Sequence, residues 1–305
     1  MKKRTINLLC IIALVFVHFS AQAQDLLDVL EKELPKSQHY QIAPFKMTRI
    51  GLGHATETRK KGALEISLYN RFWNHTEEKT QHFLADEVNT RIGLDYALSD
   101  NLTLGIGYSN FDKATDALIK YALLKPGVAS SKSSINITFV QAASRRENTI
   151  TINPEYNPTN EKSIDYGLTS QVLISKAFSR KFSLQIAPTY IHRFSEPKNA
   201  LLKNQVSFGV GARYKLNAHV ALVTERYFMT NPLKLLETYN PFMIGVNWEL
   251  SHLLLQFHLT NARNFAEDLF VSKTTNNFNF HDGNLHFGFN ATFVLHTNKK
   301  KHLKK

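Results

Sequence analysis

Arg91-Ile92-Gly93-Leu94-Asp95-Tyr96-Ala97-Leu98 sets large apolar residues at Ile92, Leu94, Tyr96 and Leu98 and small or polar ones between them. Side chains on an extended strand point to opposite faces with period two, so such a stretch has one oily face and one wet face. The pattern returns about a dozen times from Ala63 onward, as a chain of half-buried strands requires. It predicts strands at Ala63–Phe72, Asn89–Leu98, Leu102–Phe111, Asp116–Leu124, Ser133–Ala142, Ser163–Ala177, Phe182–Phe194, Lys203–Leu216, His219–Phe228, Pro241–Leu250, Leu253–Ala262 and Asn284–His296.

The connections add a second alternation. Those near Ser99–Asn101, Phe178–Arg180, Leu216–Ala218 and Ser251 are tight, whereas Trp73–Val88, Ser144–Lys162, Ser195–Leu202, Met229–Asn240 and Arg263–Gly283 are long. Short turns at one end and long loops at the other are the mark of an up-and-down outer-membrane β-barrel. Asp112–Thr115 and Lys125–Lys132 fit this alternation poorly.

The N-terminus supports export. Lys2, Lys3 and Arg4 precede an apolar run from Leu8 to Phe19 and the sequence Ala21-Gln22-Ala23, so residues 1–23 read as a signal peptide cleaved before Gln24. No other stretch approaches the ~20 apolar residues of a helical span. The only cysteine, Cys10, falls within the signal, which leaves the mature chain without a disulfide or a cysteine metal site. Of the +12 formal charge, three cations belong to the signal and five to Lys299, Lys300, Lys301, Lys304 and Lys305, leaving +4 between. That excess is too small and too dispersed for a nucleic-acid binder.

The predicted organisation is an all-β chain forming one antiparallel transmembrane barrel of twelve strands over residues 62–297. An N-terminal periplasmic arm, 24–61, precedes it, and a basic tail, 298–305, follows. Leu26, Leu27, Leu30 and Leu34 sit at helical spacing in the arm, before Pro35.

Parity assigns the faces. Ile135, Ile137, Phe139, Val206, Phe208, Val210, Tyr214, Phe242, Ile244, Val246, Trp248, Leu285, Phe287, Phe289 and Phe293 face outward, with aromatic residues near strand ends as interface girdles. Thr103, Gly105, Gly107, Asn136, Thr138, Gln185, Gly209, Gly211, Asn247 and Asn290 face a wet interior.

The stretch Phe45–Phe72, FKMTRIGLGHATETRKKGALEISLYNRF, resembles the opening of a family of predicted outer-membrane β-barrel proteins of unknown function from Gram-negative bacteria. The resemblance lies in Phe45-Lys46, Arg49, Gly53-His54, Glu57-Thr58, Lys61-Gly62, Leu64-Glu65 and Arg71-Phe72, and again in GARYKLNAHVALVTERYF from Gly211 to Phe228. Asn70 stands where the family often has His, and Trp73 where it often has Gly. The resemblance implies a barrel and no activity.

Inward parity also collects Glu65, Arg71, Arg91, Asp95, Asp165, Arg193, Arg213, Glu225 and Glu249, with Lys120 and Lys215. Single-signed charge would focus a field and select ions. This near-balanced set predicts a salt-bridge and hydrogen-bond network in the lumen, and a narrow permeation path is the competing expectation. Twelve strands lie between filled eight-stranded barrels and open porins of roughly sixteen, so width does not decide.

No metal ligand set is expected: His258, His286 and His296 point inward but lack partners at ligand spacing. The three GxG pairs do not extend to a dinucleotide fingerprint, and no cofactor is expected. Ser170 and His192 share outward parity on adjacent strands and would carry lipid-facing chemistry, yet nothing orients them and no oxyanion donor is evident. The expected partners are outer-membrane lipid, the barrel-assembly machinery and, for the lysine tail, an acidic periplasmic protein. The reading is therefore a non-catalytic structural, binding or narrow permeation barrel. Its alternatives are an outer-membrane enzyme with Ser/His chemistry and a soluble periplasmic β-protein.

Overall fold

The computed structural model describes residues 43–73, 85–125, 135–148, 163–194, 203–232, 237–278 and 285–296. The signal peptide, the leucine-rich part of the arm and the basic tail lie outside these residues.

Twelve strands close into a barrel in the order β1-β12-β11-β10-β9-β8-β7-β6-β5-β4-β3-β2. They are β1 (Ala63–Trp73), β2 (Glu87–Ala97), β3 (Leu102–Ser109), β4 (Ala114–Leu124), β5 (Ile135–Asn148), β6 (Ser163–Ala177), β7 (Phe182–Arg193), β8 (Asn204–Lys215), β9 (Val220–Met229), β10 (Phe242–Glu249), β11 (Leu253–Thr260) and β12 (His286–His296). Every pairing is antiparallel, and the barrel closes by pairing Ala63 with His296 and Phe72 with Phe287. Closure leaves no strand edge unpaired. The short connection after β3 is a 3-10 turn, Phe111–Lys113. The single helix among the described residues, α1 (Glu267–Ser272), lies between β11 and β12. No described helix is long and apolar enough to cross a membrane, which says nothing of a barrel.

The outward face is apolar in nearly every strand: Ile92, Ile106 and Trp248 are 57%, 54% and 48% exposed. So much exposed aliphatic and aromatic surface would be an aggregation liability in water and is the ordinary exterior of a barrel in lipid. β3, β10 and β11 have eight residues each, and tilted strands of ~9–11 residues span the hydrocarbon layer. The inward residues read from parity are inside, with one exception: His296, at the last position of β12, is exposed.

The interior departs from the wet lumen the sequence suggests. Val140, Leu173, Ile191, Val223 and Met243 face inward and pack with Phe45, Ile50, Leu52 and Phe270 in an apolar cluster. Residues 43–61, which the sequence places in front of the barrel, run inside the bore. Their apolar residues do not alternate, so parity assigns them no face, and the barrel's inward aliphatic residues are what cover them. At Gly62 the chain leaves the bore for β1 with φ 79°, a left-handed conformation that glycine adopts without a Cβ penalty. The amide of Gly62 donates to the Ala97 carbonyl there.

Candidate functional site

Two inserted segments fill the bore and meet inside it. The first is a hairpin from the end of the barrel where β1 begins, β12 ends and the short turns lie. Thr58 Oγ1 donates to the Asp100 carbonyl at 2.7 Å, and the Lys61 amide donates to Asp100 Oδ1 at 2.8 Å, pinning its base to the β2–β3 turn. Its arms pair through Ala55 N to Thr48 O (2.9 Å) and Ile50 N to Gly53 O (3.0 Å).

Buried backbone groups must find partners, and the barrel wall supplies them. Gln185 clasps the hairpin at two points, donating to His54 O (2.7 Å) and accepting from Thr56 N (2.9 Å). Lys120 Nζ donates to Thr48 O at 3.0 Å, Thr138 to Thr56 O at 2.7 Å and Gln256 to Ile50 O at 2.6 Å. At the tip, Glu225 accepts from the amides of Leu52 (2.8 Å) and Gly53 (3.1 Å) and from the Tyr227 hydroxyl (2.9 Å). Gly53 belongs at this spot for want of room: a Cβ there would lie 1.9 Å from the Tyr227 hydroxyl oxygen.

The second segment comes from the long-loop end and carries α1, whose six residues are all buried. Arg71 donates to the carbonyls of Ala262 and Asn264 and lies 4.2 Å from the Phe265 ring centroid. Arg193 donates to Ser272 and to the Asp268 carbonyl, while Ser144 donates to Asp268 Oδ1 at 2.7 Å. Asp165 takes Arg146 at 2.7 Å and Lys273 at 3.7 Å.

The segments join at Glu267. Its Oε1 lies 3.0 Å from Arg49 and 2.9 Å from His54 Nε2, and all three residues are at most 5% exposed. Burial opposes charge on each of them. It lowers the His54 pKa to about 4, helped by the Arg49 guanidinium, so His54 is neutral at pH 7. Burial alone would raise Glu267, but Arg49 and His54 hold it well below the usual carboxylate range. Burial would likewise lower Arg49, and the Glu267 carboxylate together with Tyr69 and Asp116 outweighs it.

A pH dependence follows. A histidine depressed from 6.5 to about 4 binds a proton more readily unfolded than folded, so stability falls as pH drops from about 6.5 to 4 and then levels for this group. The loss approaches ~3 kcal/mol if the hairpin must open to protonate it. Asp268 and Glu57, raised by burial, work in the opposite sense. Chemical unfolding against pH should show a steeper slope in this window for wild type than for His54→Gln.

Of the nine charges singled out from the sequence, only Arg213 and Glu249 form an ion pair with each other, at 2.6 Å. Glu249 is also 3.6 Å from Lys46 of the hairpin. Arg91 pairs with Asp116 at 2.5 and 2.8 Å. Glu65 accepts from Thr48 (2.5 Å) and Arg59 (2.6 Å). Asp95 lies across the register from Glu65 and forms no ion pair among the described residues. Arg71, Arg193, Asp165 and Glu225 engage the inserted segments as above. Asp116 shares parity with Lys120, and Arg146 continues the inward row of β5 beyond Ala142, so alternation carried a signal for both. Nothing in strand periodicity pointed to Arg49, His54 or Glu267, although Arg49 and Gly53-His54 belong to the stretch of family resemblance.

Ser170 and His192 lie on paired strands but bond elsewhere: Ser170 donates to Gln141 Oε1 at 2.6 Å, and His192 Nδ1 contacts Asn204 at 2.7 Å. His258 and His286 are buried in the bore, and no metal-holding group of side chains occurs among the described residues. Trp73 packs edge-on against Phe111 and His286, beneath the Arg263 guanidinium.

A closed antiparallel wall of twelve strands, apolar outside and with its bore occupied by its own chain, defines an outer-membrane-type barrel. Residues 45–295 match the family described as "Membrane bound beta barrel domain (DUF5777)", and the chain belongs to that family. The match includes the hairpin. Among solved structures the chain is similar to the NanC porin, at 10% identity and TM-score 0.44, over 77% of this chain and 100% of that one. An outer membrane channel from Pseudomonas putida F1 is similar at 14% identity and TM-score 0.43, over 79% and 98%. Outer membrane phospholipase A from Escherichia coli is similar at 10% and 0.37, over 76% and 91%. No curated protein matched the chain.

Proposed function

We propose that this protein is a non-catalytic structural or binding barrel of the outer membrane, exported by the signal in residues 1–23, and that its bore is closed at rest. The supporting observation is the junction at Glu267, where segments entering from opposite ends share one buried carboxylate. A solute path along the axis would have to part Arg49 and His54 from Glu267. In a planar bilayer the folded full-length protein should stay near baseline conductance. Steady ohmic steps from wild-type protein would overturn this reading in favour of a porin.

The long-loop end faces outward in this proposal, and both termini face the periplasm. The mature chain has no cysteine, so single cysteines report cleanly. An impermeant thiol reagent on intact cells should label Asn277→Cys, exposed on a long loop, and spare Asn217→Cys and Ser179→Cys on the short turns. The inverse pattern would reverse the assignment.

A further inference from the structure

We propose that the outer rim between β9 and β10 binds the phosphate of an anionic membrane lipid, with Arg226 as the cation. Arg226 is exposed on the lipid-facing side of β9, across from Val210 on β8 and Phe242 on β10. Its outward neighbours Leu222, Phe228, Ile244 and Val246 are exposed apolar residues of the membrane face. A guanidinium on that face is costly unless it reaches the headgroup layer or an anion.

The loops build a cavity around it. Tyr239 N donates to the Thr274 carbonyl at 2.8 Å, and Asn261 Nδ2 donates to the carbonyls of Asn240 (3.2 Å) and Asn276 (2.9 Å), tying the two long loops together. Between loops and wall lies a cavity of about 340 Å³ lined by Arg226, Tyr239, Asn240, Phe242, Asn277 and Phe278. Phe278 packs edge-on against Phe242 at 4.3 Å, and the guanidinium lies 5.1 Å from the Phe228 ring centroid. The cavity thus brings a planar cation and two asparagines together with aromatic rings beside the apolar outer face. The nearby carboxylate, Glu237, is engaged by the Tyr239 hydroxyl at 2.5 Å. An amphipathic ligand with a phosphate fits both sets of groups, because a guanidinium fork matches phosphate oxygens while the rings take hydrocarbon. The site is independent of whether the bore conducts.

The test is native mass spectrometry of the folded full-length barrel in neutral detergent, titrated with dioleoylphosphatidic acid. Wild type should bind one lipid that dioleoylphosphatidylcholine does not replace. Arg226→Gln should weaken binding at least about tenfold, and Arg226→Lys should fall between, since it keeps charge without the fork. Equal binding by Arg226→Gln would overturn the proposal. Displacement by inorganic phosphate alone would overturn the lipid assignment in favour of a free anion. A second measurement separates recognition from simple reach to the headgroup layer. The unfolding temperature in phosphatidylcholine vesicles should rise on adding phosphatidic acid for wild type and not for Arg226→Leu. A rise of the same size in both would overturn the site.

Discussion

Glu267→Ala should be the most destabilising single substitution in the bore. It removes the one carboxylate that Arg49 and His54 share and leaves the Arg49 guanidinium, 5% exposed, with only the Leu52 carbonyl as a hydrogen-bond acceptor among the described residues. Breaking a buried pair by removing one partner typically costs ~3–5 kcal/mol, because the remaining charge stays desolvated. The reading is the denaturant midpoint of the folded barrel in detergent, followed by the mobility difference between boiled and unboiled samples. Replacing Arg49 and Glu267 together by Met and Leu should recover much of the loss, since well-packed apolar residues often substitute for a buried pair without penalty. A Glu267→Ala barrel as stable as wild type would mean that the two segments do not depend on each other.

Glu225→Ala should have the next largest effect, and on permeation as well as stability. Its carboxylate accepts the Leu52 and Gly53 amides at the hairpin tip and the Tyr227 hydroxyl, all inside the bore. Each buried donor left without a partner costs ~1–3 kcal/mol, so the tip has reason to move to water. A lower midpoint should therefore come with conductance bursts in a planar bilayer where wild type is quiet. Glu225→Gln, which keeps an acceptor oxygen, should lie between. Arg213→Ala, which leaves Glu249 with the more distant and half-exposed Lys46, away from the tip, should lower stability with little conductance. If Glu225→Ala and Arg213→Ala behave alike in both measurements, the tip has no special part in closing the bore.

Strand count, topology and the lipid-facing side were legible in the chain because each depends on local order. Period-two alternation in Ile92-Gly93-Leu94-Asp95 follows from strand geometry alone, and loop lengths report the up-and-down path without reference to any distant residue. Strand ends were less legible: β5 runs to Asn148, past the predicted end at Ala142, because Arg145, Arg146 and Glu147 carry no apolar alternation. The inward direction of Glu225, Arg71 and Arg193 was likewise legible, but their partners were not. Glu225 meets Leu52 and Gly53 across more than 170 positions of sequence, and Arg71 meets Asn264 across 193. Such contacts exist only once the barrel has closed and surrounded a segment whose sequence has no strand period. Parity says which way a side chain points; only the closed bore decides what it meets there. The fold was thus determined by short-range pattern, and the plug and its Glu267 junction by long-range burial of backbone and charge that a single strand does not encode.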